Sequence, residues 1–121
     1  MPFVTDTSAR RRLTGEVETR VVGRVTAAIV QRMVADYLRL GGGARWFVDA
    51  SETHSYAPEA IGAAVTEFAK LAAGGLREIV AFIKKPLVRM GAHTVGMSLA
   101  AARVALTITV VESREAFATT A

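Results

Sequence analysis

Trp46-Phe47-Val48-Asp49-Ala50-Ser51 is a short apolar run that meets polar residues only toward its end. An apolar segment of this length suits a strand buried on both faces, as in a parallel sheet. Residues 52–57 read as a loop, and a helix opens at Pro58. Proline fits a first helical turn because its missing N–H has no intrahelical partner to lose. Polar groups at the carboxyl end of such a strand lie on the rim where open α/β folds place their sites.

Outward from this strand the same units repeat. Upstream, Ile29, Val30, Met33, Val34, Tyr37 and Leu38 make one apolar stripe at helical spacing over residues 27–40. Thr26 is placed to cap that helix, and Gly41-Gly42-Gly43 ends it, because glycine enters the left-handed region without a Cβ clash. Before it, Leu13, Val17 and Thr19 alternate with Thr14, Glu18 and Arg20, a strand pattern with one dry face, which Gly15 interrupts as a bulge or turn. Downstream, Ile61, Val65, Phe68, Leu71 and Ala72 form a second stripe, closed by Gly74-Gly75. Residues 79–83 are a third apolar run, and Pro86 opens a helix to about residue 101, weakened by Gly91 and Gly96. Residues 104–111 alternate as a last strand, and Ser113 caps a short helix from Arg114.

The order is one bent or two short strands, then α, β, α, β, α, β, α. It predicts an α/β fold with a mixed sheet of four to five strands and about four helices. Residues 1–12 read as a flexible arm ending in a solvated Arg10-Arg11-Arg12 cluster, and residues 13–121 as a single domain. At 121 residues, 51% of them hydrophobic, the chain can bury one core. No apolar run reaches the roughly 18 residues that cross a bilayer, so no transmembrane segment is expected. The first residues lack the basic-then-apolar order of a secretory signal. With no cysteine, disulfides and thiolate chemistry are excluded. The net charge of +4 is scattered, and aromatics do not interleave with arginines, so no nucleic-acid partner is expected.

Several segments together resemble the STAS domains, the family of the bacterial anti-sigma factor antagonists. They are Gly23-Arg24-Val25-Thr26 before the first helix, that helix's glycine end, Phe47-Val48-Asp49-Ala50-Ser51, the run at 79–83, and Val110-Val111-Glu112-Ser113-Arg114-Glu115-Ala116. They look closest to the STAS/SEC14-like group, often called SpoIIAA-like, over residues 13–121. The resemblance implies a non-enzymatic protein–protein interaction module of bacterial regulation, working in the cytoplasm on a protein partner. The SEC14-like side of the group implies the alternative, a carrier of a small ligand or lipid, which needs an apolar cavity. In regulatory members a phosphorylatable serine opens the helix after the central strand, within Asp-Ser-Ser-Gly. That motif falls here on Ala57-Pro58-Glu59-Ala60. Glu59 replaces the serine, either as a fixed mimic of its phosphorylated state or as an acid favourable to a helix N-terminus.

The expected partner-binding rim comprises Asp49, Ser51, His54, Tyr56, Pro58 and Glu59. Asp49, Ser51 and His54 hold the residue types of nucleophilic catalysis, but no strand–Gly-x-Ser-x-Gly–helix elbow surrounds them, so no catalytic residue is assigned. His54 and His93 are the only histidines and lack a second ligand at metal spacing, so neither metal nor cofactor is expected. Gly41-Gly42-Gly43 follows a helix instead of opening one and cannot cradle a phosphate. Lys84, Lys85 and Arg89 are candidates for an anion or lipid headgroup, against the plainer reading of a solvated rim. Met90 and Met97 are either core or an adaptable apolar surface. A homodimer is also expected, since apolar residues exceed what one core needs.

Overall fold

The structure, a computed structural model, describes residues 6–119. Its elements are β1 (Asp6–Arg11), β2 (Val17–Val25), α1 (Ala27–Arg39), β3 (Arg45–Tyr56), α2 (Pro58–Ala73), β4 (Glu78–Ile83), α3 (Pro86–Ala101), β5 (Thr107–Val111) and α4 (Arg114–Thr119). The strands form one sheet in the order β1-β2-β3-β4-β5. β1 is antiparallel to β2, and the other pairings are parallel. The fold is therefore α/β with a mixed five-stranded sheet and four helices among the described residues, as the sequence predicts.

Strand order follows chain order, so each right-handed crossover returns its helix to the same face. That face carries α1, α2 and α3. Strand residues alternate into it: Val17 and Val21 of β2, Trp46, Val48 and Ala50 of β3, and Ile79, Ala81 and Ile83 of β4. They meet Val30, Met33 and Tyr37 of α1, Phe68 and Leu71 of α2, and Val95 and Leu99 of α3. Trp46 is fully buried there, stacked 4.6 Å from Tyr37, and its indole N–H donates to Thr19 Oγ1 at 2.9 Å. The opposite face holds a smaller core of Phe47, Val80, Phe82 and Phe117, the last from α4.

Local signals hold at most helix ends. Thr26 Oγ1 accepts from the Ile29 N–H, and Ser113 Oγ accepts from the Ala116 N–H. Gly41, Gly42 and Gly43 all take positive φ after α1. α3 runs unbroken through Gly91 and Gly96.

Five expectations are corrected. Residues 6–11, read as part of a flexible arm, form β1, because backbone pairing with β2 does not require an apolar sequence. Residues 1–5 of that arm lie outside the described residues. Leu13, expected on a dry strand face, sits in the β1–β2 turn and is fully exposed. Leu38 falls off the α1 stripe and is 58% exposed. Residues 52–56, read as loop, continue β3, because β2 extends to Val25 and offers them a ladder. Register shifts between Arg20 and Val22 and between Gly23 and Arg24 accommodate the extra residues of β3. Residues 104–106 are not strand: Arg103 takes φ 58°, and the Val104 N–H donates back to Leu99 O, which turns the chain before β5.

Candidate functional site

The carboxyl ends of the parallel strands converge on the starts of α2 and α3. Asp49, on the strand face that carries α4, is 4% exposed. A buried carboxylate needs compensating donors. Asp49 Oδ1 accepts from the Ser51 N–H at 3.0 Å and from Ser51 Oγ at 2.6 Å, while Oδ2 lies 3.5 Å from Arg114 Nη1. The Arg114 guanidinium also lies over the Phe82 ring, 5.2 Å from its centroid. Asp49 thus ties the register shift of β3 to α4.

Ion pairs and hydrogen bonds cross from β2 to β3 along this rim. Arg20 Nη2 meets Glu52 Oε1 at 2.6 Å, and Arg24 Nη1 donates to Ser55 Oγ at 3.4 Å. The hydrogen bond and charge of Glu52 raise the Arg20 pKa above its ordinary value. Thr53 is fully buried and donates to Val21 O at 2.9 Å.

Tyr56 turns to the helical face. Its ring lies so close to Gly91 that a Cβ there would meet it at 2.6 Å. It closes an apolar space of ≈ 120 Å³ among Val30, Ala60, Val88 and neighbouring residues. Pro58 and Glu59 are exposed in the first turn of α2, where Ala57 supplies no side-chain cap. The rim residues are consequently divided. Asp49 and Ser51 join Arg114 on one face, Tyr56 packs on the other, and Pro58 and Glu59 project from the edge between them. His54 is half-buried on the β3 extension, and both Asp49 oxygens are engaged by Ser51 and Arg114.

The basic trio lies about the start of α3. Lys84 Nζ lies 5.9 Å from the Phe82 centroid, Lys85 occupies the N-cap of α3, and Arg89 pairs with Glu112 at 2.8 Å. Among the described residues no group of three or more metal-ligating side chains occurs, and no helix is long and apolar enough to cross a membrane.

Two features escape sequence reasoning. Arg114 reaches Asp49 across 65 positions, which no local spacing announces. The other is an apolar groove of ≈ 920 Å³ between α3 and β5, lined by Met90, His93, Met97, Leu106, Ile108 and Val110 among others. Met90 and Met97 are 64% and 60% exposed, so they form surface and not core. The methionine spacing hinted at this surface, but only the edge position of β5 creates the groove.

Comparison with solved structures agrees with the architecture. The chain is similar to an uncharacterized protein of the DUF3478 family with a SpoIIAA-like fold from Shewanella loihica PV-4. The TM-score is 0.59 at 11% identity, over 95% of this chain and 91% of the other. It is also similar to the STAS domain of an antisigma-factor antagonist from Rhodobacter sphaeroides, with TM-score 0.47 and 18% identity over 74% and 94% of the two chains. No family model and no curated protein matches the sequence. The protein has a SpoIIAA-like fold.

Proposed function

We propose that the protein is a non-enzymatic docking module of a bacterial regulatory system, acting in the cytoplasm and capturing a protein partner at the rim around Glu52, Ser55, Pro58 and Glu59. The observation that carries this reading is that the described residues enclose no chamber of ligand size, the ≈ 920 Å³ groove between α3 and β5 being an open surface trough. The space beneath Tyr56 is ≈ 120 Å³. That is smaller than the roughly 150 Å³ cavity that admits benzene. A carrier of lipid-sized ligands needs several times more room. The rim, by contrast, presents exposed Glu52, Pro58 and Glu59 on a rigid strand end and helix start. Such a preformed surface suits capture with little ordering cost. The Ala57-Pro58-Glu59-Ala60 overlay on the phosphorylation motif of regulatory STAS domains points to the same turn.

The test is a capture experiment with tagged protein and lysate of the source cell. A partner specific to the rim is lost with Glu59→Lys and Glu52→Lys but retained with Glu67→Lys near the far end of α2. Equal retention by all three variants refutes the rim, and copurified lipid detected by mass spectrometry favours the carrier reading instead.

A further inference from the structure

We propose that the outer edge of β5 is a self-association surface, occupied by a second copy of this chain in antiparallel pairing about a two-fold axis at Thr109. The inference does not rest on the rim described above. It starts from which backbone groups β5 leaves over.

The Thr107 N–H donates to Arg77 O at 3.0 Å. In the parallel ladder to β4, Thr107, Thr109 and Val111 therefore turn their backbone groups inward. Ile108 and Val110 turn theirs outward, and no strand lies beside them among the described residues. A row of such groups is a template for another strand, and proteins blunt it with charge or proline. The opposite edge is blunted: β1 reads Asp6-Thr7-Ser8-Ala9-Arg10-Arg11. β5 reads Thr107-Ile108-Thr109-Val110-Val111, with no charge and no proline.

The segment complements itself. Antiparallel pairing about Thr109 sets Ile108 opposite the other copy's Val110, so the outward groups of both form hydrogen-bonded pairs and their side chains meet on the helical face. The flanking charges select this direction. Arg103 precedes the strand and Glu112 follows it. Antiparallel pairing keeps the two copies' Arg103 side chains, and their Glu112 side chains held by Arg89, at opposite ends of the seam, whereas parallel pairing would set like charges together. The two-fold axis stands perpendicular to the joined sheet, so both α3 helices flank the seam on one side. The exposed Met90 and Met97 of each copy then cover the groove above the half-buried Ile108 and Val110. Flexible thioethers fill such a seam without demanding exact shape.

Sedimentation velocity of the full chain, over a dilution series from millimolar to micromolar, tests this. The expected result is a reversible change between monomer and dimer mass. Val110→Pro removes an outward N–H that the β4 ladder does not use, so the monomer keeps its sheet. Met97→Glu puts a carboxylate on the seam from a position already exposed. Each variant is expected to weaken dimerisation by roughly tenfold or more, with the far-UV circular dichroism spectrum unchanged. Met97→Glu also decides the matter if Val110→Pro fails to fold. Amide exchange at Ile108 and Val110 should slow as concentration rises. A monomer at every concentration overturns the proposal, and so does a dimer that Met97→Glu leaves intact.

Discussion

Replacing Phe117 with alanine removes the ring that closes the smaller core. Phe117 is 3% exposed. It stands edge-on to Phe47, with centroids 5.6 Å apart, and lies 5.8 Å from Phe82. A Phe→Ala truncation in a core costs about 3–5 kcal/mol. The structure selects the lower end. Phe47, Val80 and Phe82 stand on the central strands and cannot collapse into the void, but α4 has six residues and can leave. What remains to hold it includes the Ser113 cap, the Arg114 contact and the Arg12 bonds to the Phe117 and Ala118 carbonyls. Each such bond contributes about 1 kcal/mol net. Ordering the helix costs about 1–2 kcal/mol per residue. The variant therefore releases α4, and its loss is limited to what docking contributed. That is about 1.5–3 kcal/mol for burying the ring and about 0.5–1.5 kcal/mol for each aromatic pair. The expected total is about 3 kcal/mol, read by urea unfolding monitored through Trp46, which sits in the other core. The m-value should fall as well, because the variant's native state has already exposed part of this surface. A loss below about 1 kcal/mol with an unchanged m-value would refute the view that Phe117 docks α4.

Arg12→Ala should cost about 1–2 kcal/mol, since the guanidinium lies 3.8 Å from the Phe47 centroid and bonds the end of α4. Arg10→Ala should change little in the same urea assay, because the Arg10–Glu18 pair is solvent-screened. Arg103→Gly should stabilise by about 1 kcal/mol by relieving a left-handed conformation at a non-glycine residue, visible as a raised thermal midpoint. Burial pushes the Tyr37 phenol above its ordinary value. The unfolded chain then ionises first. The contribution of Tyr37 is complete below the ordinary value near pH 10 and is lost as pH rises through the raised folded value. Tyr37→Phe should lose about 1 kcal/mol at neutral pH and show a shallower decline in urea midpoint under alkali.

The helices and central strands were legible because their signals are local. A proline at a first turn, a threonine or serine cap and a glycine end each concern atoms within one turn of one another. The apolar runs around Trp46 and at residues 79–83 need only burial on both faces to declare themselves. β1 was illegible for the same reason. Asp6-Thr7-Ser8-Ala9-Arg10-Arg11 has no apolar pattern, and it becomes strand only because β2 presents an unpaired ladder beside it. Arg12 was read as a solvated charge, since nothing in a run of three arginines tells that one will cover Phe47.

The site was less legible than the fold because alternation along a strand is a local rule and a register shift breaks it. Reading Asp49, Ser51, His54 and Tyr56 as one rim assumes that proximity in sequence becomes proximity in space. β3 gains residues against β2 at two places, and the faces separate. Asp49 stays with Phe47 on the side of α4, while Tyr56 turns to Gly91 on the side of α1–α3. The consequence is physical as well as predictive. A carboxylate held by a serine, a backbone N–H and an arginine serves to join β3 to α4. The groups left exposed at this end, Glu52, Pro58 and Glu59, are those a partner can reach. If the rim docks a partner as proposed, Asp49 is its structural support, and selectivity falls to the first turn of α2 and the strand end beside it.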